Sequence, residues 1–318
     1  MTFSGPLFVV GMPRSGTKLL CALLDRHARI GITGIESEFL PWLARRFARL
    51  RDFDAFYAEI VRQSYFSHRR EQGKLIEPRR WQAACTDFSA AGVFEALIRV
   101  EVDAPRGSGR IWGDKSPSYI DDLPLIKQLY PAAKVLHIVR DVRDYCLSVR
   151  KAWGKDMLRA AQRWADDVRK AREDGAALGG DYLELRYEDL LADTEAELRR
   201  VCTFLGVEFE PAMLTLERPA ESLGDAAGAT QVVAGNRGKW QAMAPEMLAR
   251  VEEIAGALML ECGYALALPH KAPRRLSALE MHVAQLKDAW HLVRSDRMGW
   301  GLWRTALFHL RYFATTRG

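Results

Sequence analysis

Near its beginning the chain reads Leu7-Phe-Val-Val-Gly11-Met-Pro-Arg14-Ser-Gly16-Thr17-Lys18. The apolar residues at 7–10 predict a buried strand, and residues 17–27 repeat apolar side chains at a helical spacing. Two glycines in the connecting loop permit tight turns and a close approach of the backbone. A loop between a strand and a helix directs backbone N–H groups toward one point, where an anion can bind. The stretch therefore predicts an α/β fold with a phosphate-binding loop.

Short apolar runs alternate with helical patterns along the rest of the chain. This alternation is typical of a central parallel sheet with helices on both faces. We expect a catalytic domain at residues 1–268, which includes a Gly- and Ala-rich loop, and a helical C-terminal extension at residues 269–318. Further strands are predicted at residues 110–113, 135–139 and 182–186. Helices are predicted at residues 36–49, 53–69, 90–102, 142–152, 194–205 and 245–261.

The net charge of +5 is concentrated near the C-terminus. From residue 271 onward nine Lys and Arg stand against three acidic residues, so the preceding residues sum to −1. Because the residues before 271 carry almost no net charge, this distribution argues against a main domain that binds nucleic acid. Aromatic residues and Arg are interleaved in residues 274–318, a pattern that suits an anionic membrane surface or an acidic acceptor. Packing on the catalytic domain, or on a second copy as a homodimer, is the other interpretation.

Cysteine usage and hydropathy bear on the compartment. The five cysteines are scattered and show no paired spacing, which disfavours a zinc site and a disulfide framework. Free thiols fit a reducing cytoplasm. The first strand leaves no place for a signal peptide, and no apolar run approaches the roughly 20 residues that cross a bilayer. We expect a cytoplasmic protein, with peripheral contact at the inner membrane surface as the open alternative.

The order of residues at the end of the loop distinguishes it from loops that bind ATP. In those, Lys follows the second Gly directly and a Ser or Thr comes next to hold Mg²⁺. Here the order is Gly16-Thr17-Lys18, and Arg14 supplies a cation within the loop. The loop therefore predicts anion binding that requires no metal. A kinase on a related fold is the alternative, and it would need ATP and Mg²⁺.

The loop resembles that of the sulfotransferases that use 3′-phosphoadenosine 5′-phosphosulfate (PAPS), in particular the tyrosylprotein type and its bacterial relatives. Their Pro-Arg-Ser-Gly-Thr loop grips the 5′-phosphosulfate. The resemblance implies a bacterial enzyme that transfers a sulfuryl group from PAPS to a hydroxyl and releases adenosine 3′,5′-bisphosphate. By this resemblance the 5′-phosphosulfate ligands are Arg14, Ser15, Gly16, Thr17 and Lys18.

A second match follows the predicted strand at residues 135–139. There the chain reads Arg140-Asp-Val-Arg-Asp-Tyr-Cys-Leu-Ser148. Eight residues span about two helical turns, so the cation and the hydroxyl could converge on one phosphate at the carboxyl ends of the strands. The family's second signature has this form and binds the 3′-phosphate, which implies that role for Arg140 and Ser148. Surface ion pairs among these charges are the alternative.

Two later segments also resemble the family. Tyr187, in a Leu-Arg-Tyr-Glu-Asp-Leu run, is expected near the nucleotide. In the loop Gly-Asn-Arg237-Gly-Lys239-Trp, which the resemblance places over the nucleotide, Lys239 is the first candidate phosphate ligand and Arg237 the second. Thr230 stands near the position where the family has a Ser, so its hydroxyl is a further candidate contact.

The reaction needs cations around the moving group and a base for the acceptor hydroxyl. Lys115 precedes Ser and Pro in a segment that resembles the family's Lys-x-Pro, so we expect Lys115 and Arg14 to stabilise the transferring group. Glu36, in Gly-Ile-Glu36-Ser-Glu38-Phe-Leu-Pro, aligns best with the family's catalytic Glu, and Glu38 is the alternative. A carboxylate that merely stabilises a helix start is the other interpretation of Glu36.

The resemblance leaves the acceptor open. A tyrosyl peptide, a sugar, a lipid and a small metabolite are all compatible with it. A catalytically inactive module that binds adenosine 3′,5′-bisphosphate is a further alternative. Such a module would have no need of Glu36 and Lys115, and their presence favours an enzyme.

Overall fold

The computed structural model describes residues 3–50, 52–220, 225–269 and 272–295. Within these ranges the strands are β1 (Leu7–Val10), β2 (Ile30–Ile32), β3 (Ile111–Lys115), β4 (Lys134–Val139) and β5 (Tyr182–Arg186). They form one parallel sheet in the order β2-β3-β1-β4-β5. Parallel strands require crossover connections, and helices supply them.

The described residues divide into two compact units. The first comprises the described residues up to 140 together with those of 167–237, and it contains the whole sheet. The second comprises residues 141–166 and the described residues from 238 onward. The helices are α1 (Thr17–Leu24), α2 (Leu40–Arg46), α3 (Phe53–Ile60), α4 (Ser64–Glu71), α5 (Pro78–Ala84), α6 (Ala90–Glu101), α7 (Leu123–Leu129), α8 (Val142–Trp153), α9 (Met157–Ala176), α10 (Tyr187–Ala192), α11 (Thr194–Leu205), α12 (Pro245–Glu261) and α13 (Ala278–Ser295).

Apolar side chains cover both faces of the sheet. Because side chains alternate along a strand, Leu7 and Val9 share a face. They join a buried cluster with Leu20 of α1 and Leu198 of α11. Phe8 belongs to the opposite face, where its ring lies 6.3 Å from the ring of Phe94 on α6. Helices on both faces confirm the predicted α/β architecture.

The prediction of a helix at residues 36–49 is wrong at its N-terminal end. The α-helix α2 begins at Leu40, and Glu36 lies in the loop before it. Pro41 explains the difference, because the proline ring would clash with the backbone four residues earlier if the helix began sooner. Proline is tolerated in the first helical turn, where its missing N–H has no partner to lose. Glu36 therefore does not stabilise the start of a helix.

The helix predicted at residues 53–69 is two helices, α3 and α4. Gln63 between them is extended, with ψ of 153°. In one continuous helix of 3.6 residues per turn, Tyr65 and Phe66 would turn away from the face that carries Phe56 and Ile60. The break allows all four side chains to be buried.

The helix predicted at residues 17–27 is wrong at its end, because α1 ends at Leu24, and the strand predicted at 110–113 is found at 111–115; the other predicted boundaries agree within one residue. The helices at 194–205 and 245–261 and the strand at 182–186 are confirmed at both ends. Strand β2 was not predicted, because three residues with a central glycine give little periodicity. Helix α9, the 20-residue helix, was also not predicted, although its buried Ala161, Trp164 and Val168 follow a helical spacing.

In the described part of the C-terminal extension, residues 278–295 form helix α13. In the second unit Asp288 of α13 accepts a hydrogen bond from the backbone of Asp156 at 2.7 Å and pairs with Arg159 of α9 at 2.6 Å. The basic, aromatic residues 296–318 lie outside the described residues. The boundary at 269 and the membrane and dimer roles of the extension stay predictions. Within the described ranges, no helix combines the length and apolar character that crossing a membrane requires.

Candidate active site

Strand register places three predicted segments at one edge of the sheet. Val9 pairs with Lys115, and Val10 pairs with His137. Gly11 begins the loop directly after β1, and Arg140 directly follows β4. In open α/β sheets ligands bind at the carboxyl ends of the strands, where these residues lie.

The loop after β1 has backbone angles that suit an anion cradle. Arg14 has φ of 75° and Gly16 has φ of 99°. A non-glycine residue in this region is strained, and such strain concentrates at functional sites. Alternating right- and left-handed residues turn successive N–H groups toward one point. A Cβ at Gly16 would overlap the ring of Tyr187, so only glycine fits this position.

Two hydroxyl-bearing residues of the loop are buried. Ser15 is fully buried, and its Oγ has no hydrogen-bond partner among the described residues. An unpaired buried hydroxyl costs free energy and calls for an explanation, which a bound oxyanion would supply. Thr17 is buried at the first residue of α1, whereas Lys18 is exposed and Arg14 is half-buried. The loop residues fit a phosphosulfate group.

Arg140 connects the loop to two later segments of the first unit. Its guanidinium donates to the carbonyl of Arg14 at 3.0 Å and to the carbonyl of Asn236 at 3.2 Å. It also lies 4.7 Å from the centre of the Tyr187 ring, within the range of a cation–π contact. The Asn236 amide donates to the Tyr187 hydroxyl at 2.8 Å. The structure thus brings Arg14, Arg140 and Tyr187 together.

Asn236 is a site residue that the sequence pattern does not predict. It stands beside Arg237 in the loop quoted above, and an amide can both donate and accept. Arg237 itself is exposed and donates to the carbonyl of Glu188 at 3.0 Å. Thr230, a further candidate contact, is exposed.

Ser148 and Lys239 lie in the second unit. Ser148 lies on α8, and Lys239 opens a short 3-10 helix that runs from Lys239 to Ala242. Asp144 accepts from the backbone N–H groups of Gly238 at 2.7 Å and Trp240 at 2.8 Å, on either side of Lys239. Asp144 therefore fixes the backbone that carries Lys239.

The buried Arg143 has a structural role. It pairs with Asp141 at 2.6 Å and with Glu252 of α12 at 2.8 Å. Its guanidinium also lies 3.6 Å from the centre of the Trp240 ring. These partners compensate a buried charge, which would otherwise be costly.

Lys115 and Glu36 form an ion pair. The Lys115 ammonium donates to Oε1 of Glu36 at 2.7 Å, although the two residues are 79 positions apart in sequence. The Lys115 side chain is 3% exposed and that of Glu36 is 33% exposed. A buried ammonium requires a partner, and a carboxylate that reaches solvent can still meet a substrate. The Glu38 side chain is exposed, and the Glu38 backbone adopts the left-handed conformation, with φ of 56°.

Asp114, beside Lys115 on β3, is fully buried. Thr33 donates to its carboxylate at 3.2 Å. Burial raises the pKa of Asp114 to about 6, against hydrogen bonds from Ser116 and Ser37 that lower it. This carboxylate and its hydroxyl partners are not among the site residues that the sequence predicts.

A cleft of about 790 Å³ in the first unit reaches Lys115. Among the described residues that line it, seven are basic and four are acidic, so its field favours polar and anionic groups. Arg69 in its wall pairs with Glu101, and Arg110 donates to two backbone carbonyls. Cys21 also lines the cleft, but burial raises the pKa of its thiol, which keeps the thiol protonated.

Comparison with known proteins identifies the family. Residues 6–211 match the model of the Sulfotransferase family. A Caenorhabditis briggsae "Putative protein-tyrosine sulfotransferase" is 27% identical over 67% of this chain and 69% of its own length. The Mycobacterium bovis "Omega-hydroxy-beta-dihydromenaquinone-9 sulfotransferase Stf3" is 28% identical over 64% of each chain.

A solved structure shows the same fold. The sulfotransferase domain of the Synechococcus PCC 7002 olefin synthase superposes with a TM-score of 0.54 at 23% identity. The superposition covers 85% of this chain and 98% of that domain. The family match spans more than half of the sequence and contains the anion loop, the Lys115–Glu36 pair and Arg140. The chain therefore belongs to the sulfotransferase family, whose members are enzymes that transfer sulfuryl groups.

Proposed function

We propose that the chain transfers a sulfuryl group from PAPS to an acceptor hydroxyl by in-line attack, with Glu36 as general base. The observation that carries the proposal is the 2.7 Å contact between Glu36 and Lys115 at the sheet edge that also bears the anion loop. A base and a cation at one place meet the needs of a reaction that removes a proton and develops negative charge.

The donor's 5′-phosphosulfate would lie in the loop formed by residues 11–18. The buried Ser15 hydroxyl, which has no partner among the described residues, supports this role. Arg140 and Ser148 would bind the 3′-phosphate, and Lys239, or secondarily Arg237, would add charge at the phosphates. Each cation that contacts a phosphate contributes a charge-assisted hydrogen bond, the stronger kind.

In the proposed reaction the acceptor oxygen forms a bond to sulfur while the bond from sulfur to the phosphate oxygen breaks. The acceptor proton passes to the Glu36 carboxylate, and adenosine 3′,5′-bisphosphate leaves with the electron pair. Lys115 and Arg14 stabilise the charge that develops on the bridging oxygen, as cations do in phosphoryl transfer. Because the sulfate is anionic, it would compete for the Lys115 ammonium and leave the Glu36 carboxylate available to the acceptor.

The cleft beside Lys115 is the proposed acceptor site. Its predominantly basic lining favours a hydrophilic acceptor such as a tyrosyl peptide, a sugar or a small metabolite over an apolar lipid. The relatives named above cover both kinds, a protein tyrosine and a menaquinone-derived lipid. The lining therefore favours the polar class for this chain.

The test is turnover of ³⁵S-labelled PAPS in the presence of EDTA. N-acetyltyrosinamide, a disaccharide and dodecanol would serve as acceptors, with products identified by the mass of one added SO₃ group. We expect turnover without metal and a preference for a polar acceptor. Tight binding of adenosine 3′,5′-bisphosphate with no turnover on any acceptor would favour the inactive module. Phosphate transfer from ATP with Mg²⁺ would favour the kinase.

The extension offers a surface for the proposed membrane or dimer role. In the described part of α13, Leu279, Val283, Leu286 and Trp290 are exposed at helical spacing. Such a stripe is unusual on an isolated soluble surface and is typical of an interface. Flotation with anionic liposomes and light scattering would distinguish a membrane surface from a second copy.

A further inference from the structure

The loop that carries the proposed base has no regular secondary structure of its own. Residues 33–39 connect β2 to α2, and within them the backbone of Glu38 is left-handed. Loop residues are more mobile than those of strands and helices unless side chains or packing hold them. Glu36 must nevertheless lie within hydrogen-bonding reach of the acceptor in order to act as a base.

Three buried hydroxyl groups lie at this loop, one on the loop itself and two on the segment that follows β3. They belong to Ser37, Ser116 and Tyr119, which are 1%, 0% and 1% exposed. Ser116 and Tyr119 follow Lys115 directly in the chain, at the end of β3 and in the 3-10 helix after it. The Ser116 and Tyr119 hydroxyl groups therefore lie on the same segment as the lysine that pairs with Glu36.

The Ser116 and Tyr119 hydroxyl groups bind the backbone on the C-terminal side of Glu36. The Ser116 Oγ accepts from the backbone N–H of Ser37 at 2.9 Å and from that of Glu38 at 3.3 Å. The Tyr119 hydroxyl accepts from the backbone N–H of Leu40 at 3.0 Å and shares a hydrogen bond with Ser37 Oγ at 2.6 Å. Three of the four amides that follow Glu36 are thus bound by side chains of one segment.

We propose that Tyr119 and Ser116 are positioning residues that hold Glu36 against Lys115 for the reaction. The inference rests on the proposed function, because it assigns them a role only through Glu36. Burial raises the pKa of Tyr119 well above its ordinary value, so the phenol keeps its proton. A phenol can then accept from Leu40 and donate to Ser37 at the same time.

The test uses Tyr119→Phe and Ser116→Ala with Tyr130→Phe as the matched control. Tyr130 is buried like Tyr119, contacts Phe8 at a similar ring distance (6.0 Å against 6.1 Å) and donates one hydrogen bond, to Ala91. Each Phe variant removes one buried hydroxyl from the same core. A purely structural role would therefore affect both variants alike.

The first measurement is a double-mutant cycle with Glu36→Gln, using PAPS and N-acetyltyrosinamide. We expect Tyr119→Phe to lower kcat about tenfold in the wild type and by less than about twofold in the Glu36→Gln background, with unchanged affinity for adenosine 3′,5′-bisphosphate. If Tyr119→Phe lowers kcat equally in the wild-type and Glu36→Gln backgrounds, the proposal is overturned. It is also overturned if Tyr130→Phe lowers kcat as much as Tyr119→Phe does.

The second measurement, hydrogen exchange, does not depend on an acceptor. We expect the amides of Ser37, Glu38 and Leu40 to exchange faster in the Tyr119 and Ser116 variants and at the wild-type rate in Tyr130→Phe. Unchanged exchange in all variants would overturn the positioning role even if Glu36 is the base. Full turnover in Glu36→Gln would instead remove the base assignment, and the positioning role with it.

Discussion

The guanidinium of Arg140 lies over the ring of Tyr187, 4.7 Å from its centre, while donating to the backbone of the anion loop. One buried cation thus connects β4, the start of α10 and the loop after β1. Asn236 completes the group by donating to the Tyr187 hydroxyl. Changes at Arg140 should therefore act on nucleotide binding through both its charge and its geometry.

We expect Arg140→Ala to weaken binding of adenosine 3′,5′-bisphosphate by about 100-fold, because a buried charge-assisted contact contributes up to about 3 kcal/mol. Calorimetric titration measures the change. Arg140→Lys should recover only part of the affinity, since an ammonium lacks the planar fork. The control is Arg199→Ala, which removes an exposed ion pair with Glu195. Equal affinity in the Ala variant and the wild type would rule out a nucleotide contact.

Glu36→Gln should leave affinity for adenosine 3′,5′-bisphosphate unchanged and lower kcat by about 100-fold or more, the range for loss of a general base. Steady-state kinetics with PAPS measure kcat. Glu38→Gln should retain near-normal turnover, because Glu38 is exposed and the Lys115 contact belongs to Glu36. If Glu38→Gln instead lowers kcat while Glu36→Gln keeps near-normal turnover, Glu38 is the base.

Gly16→Ala should unfold more easily and lose nucleotide binding. Gly16 has φ of 99°, and an added Cβ would overlap the Tyr187 ring. The left-handed conformation alone costs a non-glycine residue roughly 1–2 kcal/mol. Gly34→Ala is the matched control, because an added Cβ there meets nothing within 4 Å. Thermal unfolding with and without adenosine 3′,5′-bisphosphate compares the variants, and equal behaviour of both would contradict the assigned loop geometry.

The stability of the fold should depend on the protonation of Asp114. Burial raises its pKa from 3.8 to about 6, so between these values the folded state binds the proton more tightly than the unfolded chain. Stability therefore falls as pH rises through this window, by on the order of 3 kcal/mol for a shift of about two units. Denaturant unfolding of the wild type and Asp114→Asn at pH 4 and pH 7 measures this difference.

We expect the wild type to lose stability relative to Asp114→Asn over that interval. Asp54→Asn, which removes an exposed carboxylate in the first turn of α3, should follow the wild type. A constant difference between wild type and Asp114→Asn across the interval would show that the carboxyl does not titrate there.

Local pattern was sufficient for much of the fold. Strand β1, its loop and α1 are adjacent in the chain, and the conformation that each residue adopts follows from its own side chain and near neighbours. The same holds for β4 and the Arg140 segment. Local pattern failed where tertiary packing chose the conformation, as at the break between α3 and α4, and where an element was too short to show a period, as in β2.

By itself, the sequence determined the parallel α/β class, the anion loop and the identity of the charged residues near it, because these depend on contiguous residues and on strand–helix order. Only the tertiary structure paired Lys115 with Glu36, added Asn236 to the Arg140–Tyr187 group and set the hydroxyls of Ser116 and Tyr119 beneath the loop of Glu36. The physical reason is that side-chain hydrogen bonds reach only about 3 Å. Strand register and packing decide which distant residues come that close.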